Sequence, residues 1–250
     1  MSLAVIAGSG LGDLSRALQV DRVLPFDRIP GVGAATIAGH AGEILSGSID
    51  GRPCQLVRGR RHFYEGDAGP IDRLIDHVAR EGATTLLVTS AAGSLRRWLS
   101  AGDLVVIHDI IDHQNRRAFS TRGAGEAAPV APMRGIKVDL PATRVFEAAA
   151  TAARVSWQPG TSFCTSGPLY ETVADVHFLQ YADADVATMS GAPEVTRANA
   201  LGLPVVAVAV VTNPCTGINA SVPSHEEVLE AGRRAAIGLS AAIRQFIQAL

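Results

Sequence analysis

The sequence is poor in several things, and each shortage excludes something. Three cysteines, Cys54, Cys164 and Cys215, are odd in number and far apart. They do not make a disulfide framework or a Cys-based zinc pattern, and they read as reduced thiols of a cytosolic protein. No apolar stretch approaches the ~18 residues a membrane-spanning helix needs. No block of like charge offers a surface for nucleic acid or lipid, and the formal net charge is only −2. The start, MSLAVIAGSG, lacks the basic segment and long apolar core of a signal peptide. The seven histidines include no HExxH pair. His77 and His177 fall on expected helices as surface or structural residues. His108 and His113 are the only pair worth weighing as metal ligands, and no metal site is expected. There is no GxSxG elbow and no GK[ST] of a P-loop.

What is present is a well-filled α/β pattern. Of 250 residues, 47% are hydrophobic and 18% charged, enough for one compact domain over 1–250. Short apolar runs at 3–7, 85–89, 104–108, 160–164, 186–189 and 205–211 read as strands. Segments 42–48 and 53–58 flank Asp50-Gly51, a hairpin signal. Helical stretches are expected at 70–80, 142–153, 172–181 and 193–201. A last helix opens at a Ser224-His225-Glu226-Glu227 capping box and carries Val228, Leu229, Ile237, Leu239, Ile243 and Phe246. The expectation is a single-domain α/β fold, a central mixed sheet flanked by helices. Residues 115–135, rich in Arg, Gly and Pro, form the candidate long functional loop.

The polar clusters sit where these strands end. The run Val205–Val211 has no polar alternation, as in a strand buried on both faces. Pro214 has no N–H and should stop it at Asn213. Ligands of open α/β sheets bind beyond carboxyl ends of strands, so Asn213 is either a ligand contact or a turn residue. Gly8-Ser9-Gly10-Leu11-Gly12 follows the first strand and reads either as a tight turn or as an anion-binding loop. The third glycine of a dinucleotide fingerprint would fall on Asp13, so it is not that motif. GRRHFYEG (59–66) gathers Arg60, Arg61, His62, Tyr64 and Glu65, either a solvated loop or a bidentate phosphate grip. VTSAAGSL (88–95) ends a strand in small residues. SGPLYET (166–172) puts Glu171 at a helix start, where the helix dipole alone is one explanation for it. MSGAPE (189–194) is another strand-to-helix junction. Together these junctions point to one rim of a sheet.

In this order the segments GSGLG, GHAG (39–42), GRRHFYEG, VTSAAGSL with AGDLVVI, GPLYETVAD, MSGAPEV, VVTNPCTGI and SHEEVLEAG resemble the trimeric purine nucleoside phosphorylases. The resemblance runs from residue 5 to 232. It implies a pentosyltransferase of purine salvage: a purine (deoxy)nucleoside plus inorganic phosphate gives free purine and (deoxy)ribose 1-phosphate. It implies no cofactor, with phosphate as co-substrate, and a cytoplasmic homotrimer with no nucleic-acid or membrane partner. By the same resemblance Ser9, Arg60, His62 and Ser190 bind phosphate, with the Ala91 backbone N–H, and His40 lies near it. Tyr64, Met189 and His225 contact the sugar, His225 at the 5′-hydroxyl. Tyr170, where the family usually has Phe, faces the base with Glu171, Thr212 and Asn213. The catalytic residues are Asn213, Glu171 and His62.

The chemistry agrees with this assignment. Breaking an N-glycosidic bond leaves negative charge on the departing purine, and a preorganised donor such as Asn213 stabilises it. A carboxylate at 171 accepts the N1 proton of a 6-oxopurine and leaves adenine mismatched. The sibling methylthioadenosine phosphorylases usually carry Ser and Asp at these two places, so inosine and guanosine are the expected substrates. Three departures stand out. Ser90 replaces an Asn, Ser94 replaces a Gly, and 115–135 is shorter than usual. VAPM (130–133) lacks the aromatic that a neighbouring subunit contributes, for which Phe119 is the candidate substitute. The rival readings are a methylthio-nucleoside phosphorylase, told apart by a polar or apolar 5′ pocket, and a nucleoside- or phosphate-binding homologue without turnover.

Overall fold

The period-two burial of two strands organises the molecule. Along β9 (Val205–Pro214), Val206, Val208 and Val210 face one hydrophobic core while Val205, Ala207, Ala209 and Val211 face another. Strand β1 (Leu3–Ala7) divides in the same way, with Leu3, Val5 and Ala7 on one side and Ala4 and Ile6 on the other. A sheet apolar on both faces must be covered by helices on both. The computed structural model describes residues 1–9, 11–35, 41–66, 69–114, 136–219 and 225–250, apart from the side chains at 12, 13 and 225–227. Helices α2 (Leu140–Ala152) and α5 (His225–Ala249) cover the first face, where Phe146 and Phe246 meet edge to face with centroids 5.4 Å apart. Helices α1 (Gly69–Arg80) and α4 (Ala192–Leu201) cover the second, through Leu74, Ile75, Val78, Val195 and Ala198.

The other strands are β2 (Gln19–Pro25), β3 (Glu43–Ile49), β4 (Arg52–Arg58), β5 (Thr85–Ser94), β6 (Leu104–Asp112), β7 (Trp157–Cys164) and β8 (Val186–Thr188). Helix α3 (Val173–Tyr181) lies between β7 and β8 in sequence. The sheet order is β2-β3-β4-β1-β5-β8-β7-β6-β9, and β9 also pairs with β5. Five strands, β5, β8, β7, β6 and β9, therefore close on themselves. The β3–β4 hairpin turns at Asp50 and Gly51, both at positive φ, as the Asp-Gly pair demands. The mixed α/β single-domain class is as expected.

Several boundaries differ from the sequence reading, each for a physical reason. Strand β9 does not stop at Asn213. It runs on through Pro214, because the ladder to β5 shifts register between Ala92 and Gly93 and pairs Asn213 with Gly93 and Pro214 with Ser94. Strand β5 reaches Ser94 rather than Thr89, since β9 and then β8 supply partners for its small residues. Strand β2 was not anticipated: its seven residues are exposed or half-buried and carry no alternation. Ile237, expected on the buried stripe of the last helix, is 79% exposed, while Leu239, Ile243 and Phe246 set the helix phase inward. His40, loop 115–135 with Phe119, and Ser224 of the capping box lie outside the described residues, as does the side chain of His225.

Candidate functional site

Strand β5 is covered unevenly along one edge. Strand β1 pairs with Thr85–Val88 and β8 with Gly93–Ser94, whereas β9 runs along the other edge throughout. Residues 89–92 thus face no strand on the β1/β8 side. Backbone groups alternate sides along a strand, so Thr89 and Ala91 share an edge. The Thr89 carbonyl accepts from Arg60 Nη2 at 2.5 Å. A Cβ on Gly8 would stand 3.0 Å from the Thr89 oxygen and 3.2 Å from the Ala91 nitrogen, so the 8–9 turn approaches this edge only because residue 8 is glycine. Gly8 N–H donates to Thr89 Oγ1, which donates to the Ile6 carbonyl, and this pins the turn.

The cleft at this gap encloses about 760 Å³, part of it open to solvent. Every expected site residue whose side chain is described lines it: Ser9, Arg60, His62, Tyr64, Ala91, Tyr170, Glu171, Met189, Ser190, Thr212 and Asn213. The set spans the turns after β1, β4, β7 and β8 and the ends of β5 and β9. Strand β8 runs antiparallel to β5, so the arrangement is not a single carboxyl rim. Residues 189 and 190 reach the cleft because β8 meets β5 from the opposite direction.

One end of the cleft gathers a buried guanidinium, an imidazole and hydroxyl groups. Arg60 is 1% exposed, and its Nη1 lies 3.2 Å from Glu194 Oε1 and 3.5 Å from Ser90 Oγ. Ser190 Oγ donates to Ser90 Oγ at 3.3 Å. His62 is buried, its ring stacked on Tyr64 with centroids 4.9 Å apart. Burial first, and the Arg60 charge second, hold the imidazole below its ordinary pKa, so it is neutral at pH 7. Nδ1 lies 3.2 Å from Glu65 Oε1, and the carboxylate favours the Nδ1–H tautomer, leaving Nε2 as an acceptor.

The other end presents a carboxamide and a carboxylate. Thr212 Oγ1 donates to Asn213 Oδ1 at 2.8 Å, and Asn213 Nδ2 donates to the Pro214 carbonyl at 3.0 Å. This fixes which way the amide faces and leaves one N–H and one oxygen lone pair for a ligand. A Cβ on Gly93 would fall 2.5 Å from Cys215 Sγ, so glycine lets the chain after β9 pack beneath Asn213. Glu171 accepts from Thr165 Oγ1 at 3.3 Å. Burial raises its pKa above the ordinary value despite that bond. Between the two ends lie Met189 and Tyr64. Gly167, at φ 65°, allows both to approach, since a Cβ there would come within 2.7 Å of each.

Some supporting residues escaped the sequence reading. Gln114 Nε2 donates to the carbonyls of Thr165 and Met189, tying together the ends of the neighbouring strands β7 and β8. Glu194 lay in a quoted motif but carried no assigned role; its only signal was a carboxylate in the first turn of a helix. Among the described residues there is no cluster of three or more potential metal ligands. No helix among them is long and apolar enough to cross a membrane.

Comparison with known proteins gives the same architecture a family. A family model described as the phosphorylase superfamily matches residues 2–248. Purine nucleoside phosphorylase 1 of Bacillus subtilis is 29% identical over 246 residues, 98% of this chain and 91% of that one. Purine nucleoside phosphorylase of Rattus norvegicus is 34% identical over 254 residues, 94% of this chain and 84% of its own. The Schistosoma mansoni purine nucleoside phosphorylase solved in complex with inosine superposes with a TM-score of 0.85 at 27% identity, covering 99% of this chain and 90% of that one. With the fold, the order of the motifs and the relatives in agreement, the chain belongs to the phosphorylase superfamily and, within it, to the purine nucleoside phosphorylases.

Proposed function

We propose that this chain catalyses the reversible phosphorolysis of 6-oxopurine (deoxy)nucleosides such as inosine and guanosine, using inorganic phosphate as co-substrate and no cofactor. The observation that carries the reading is the spacing along β5. Arg60 and Ser190 converge at Thr89–Ser90, and Asn213 stands opposite Gly93. Three to four residues of strand are about 10–14 Å, room for a pentose between an anion and a base.

In this reading Ser9, Arg60, Ser190 and the Ala91 N–H hold phosphate. His62 Nε2 accepts the proton of a monoprotonated phosphate oxygen, and His40 lies beside it. Tyr64, Met189 and His225 position the sugar. Tyr170 lies against the base. The remaining N–H of Asn213, its amide held by Thr212, donates to purine N7 as negative charge develops there. Glu171 accepts the N1 proton. Phosphate oxygen attacks C1′ as the glycosidic pair leaves with the base, giving the sugar 1-phosphate and a purine that takes up a proton. We propose further that the enzyme is a cytoplasmic homotrimer. Leu169, 83% exposed, and Tyr181, 92% exposed, together with Val173 and Phe178, support a subunit interface around α3. Light scattering of the purified chain should give three copies; a monomer at working concentration overturns the assembly.

A second reading rests on Val228, which lines the cleft one helical turn beyond His225. An apolar side chain at that place favours a 5′-methylthio substituent, so methylthioinosine belongs in the assay. Purine release should be followed from inosine, adenosine, methylthioinosine and methylthioadenosine, with and without phosphate. Phosphate-dependent release of hypoxanthine from inosine, with adenosine inert, is expected. Preference for a methylthio substrate supports the second reading, and binding without turnover marks a non-catalytic homologue.

Asn213→Ala should lower kcat/KM for inosine by ~10²–10³ with an unchanged circular dichroism spectrum; near-parental turnover removes Asn213 from the mechanism. The pH behaviour of Glu171 has a definite sign. Its folded pKa is raised, so its contribution to stability is fullest below the unfolded value and is lost as pH rises through the folded one. Glu171→Gln carries no such charge. It should melt no lower than the parent at pH 8 while losing inosine turnover, and a variant that melts lower there contradicts the assigned burial cost.

A further inference from the structure

Glu194 does not itself line the cleft, yet it touches both of the proposed phosphate-binding arms. It is 1% exposed, at the third position of α4. Oε1 lies 3.2 Å from Arg60 Nη1, on the segment after β4. Oε2 accepts the Gly191 N–H at 2.9 Å, in the turn after β8 that carries Met189 and Ser190. A carboxylate so far from water persists only when its charge is compensated, and Arg60 is the compensating charge, itself equally buried. Ser90 completes the link between the arms, receiving Ser190 Oγ and lying within reach of Arg60 Nη1.

We infer that Glu194 is a positioning residue for phosphate: it orients the Arg60 guanidinium and fixes the backbone at Ser190–Gly191, so that the arginine and the serine meet one anion. The inference rests on the proposed phosphate role of Arg60. The two-oxygen requirement is specific. One oxygen faces the guanidinium as a close ion pair and the other accepts a backbone N–H. Glutamine offers one oxygen and an NH2 group, so it sets a donor against either Arg60 or Gly191. Neutralising the carboxylate also leaves Arg60 to be oriented by the Thr89 carbonyl and the Ser90 hydroxyl without its counter-charge.

A double-mutant cycle tests this on the phosphate KM at saturating inosine and the inosine KM at saturating phosphate. Arg60→Gln alone should raise the phosphate KM at least tenfold. Glu194→Gln should raise the phosphate KM about tenfold and leave the inosine KM within about twofold of the parent. In the Arg60→Gln background the added Glu194→Gln change should move the phosphate KM by no more than about twofold, because residues acting as one unit are non-additive. A merely structural role would shift both KM values in either background. If Glu194→Gln does not fold, Glu194→Asp, which withdraws the charge by one methylene, enters the same cycle. An unchanged phosphate KM in Arg60→Gln overturns the reading of the site itself. A raised phosphate KM in Arg60→Gln with an unchanged one in Glu194→Gln, or additive effects in the double variant, overturns the inference alone.

Discussion

The site depends on a stretch of strand that finds no strand partner on one side. Residues 89–92 of β5 lie between the reach of β1 and the reach of β8, and the backbone groups on that edge must be satisfied otherwise. Arg60 takes the Thr89 carbonyl, and the 8–9 turn closes against the same edge. Were β1 two residues longer, or β8 nearer, the sheet would be continuous and there would be no cleft. The binding surface is an interruption in pairing, held open by the closure of five strands around it.

Within that interruption, charge is handled by pairing rather than by exposure. The chain carries little net charge, and the polar groups of the cleft are compensated one at a time: Arg60 by Glu194, the His62 ring by Glu65, Glu171 by the Thr165 hydroxyl. Each pairing costs desolvation and repays it with a fixed orientation. Burial holds His62 below its ordinary pKa and makes Glu171 harder to ionise than a free carboxyl.

Much of this was legible in the residues. The Asp-Gly hairpin, the helices of 70–80 and 193–201, and the buried strand at 205–211 follow from turn chemistry and apolar periodicity. The junction residues Ser9, Arg60, Glu171 and Asn213, singled out because they stand at strand ends, all line one cleft. What was illegible has physical causes. Strand β2 is an edge strand without a buried face, so it leaves no alternation to read. The continuation of β9 through Pro214 needs a register shift against a strand 120 residues away in sequence. Glu194 looked like an ordinary first-turn carboxylate because its partner, Arg60, is distant along the chain. Gln114, too, earns its place only through two carbonyls that folding brings to it.

The contacts that bring the walls of the cleft together are remote in sequence. Ser90 meets Ser190, Thr212 meets Ala92, and Thr89 meets the first strand. Closing such separations before any contact is rewarded is the slow part of acquiring a fold. The shortest contiguous fragment that holds the arginine, the carboxamide and the strand that spaces them runs from residue 60 to residue 213, more than half of the chain. Competence to turn over substrate therefore arises at the end of chain assembly rather than piecemeal, and a newly made chain stays catalytically silent until its last strand has docked.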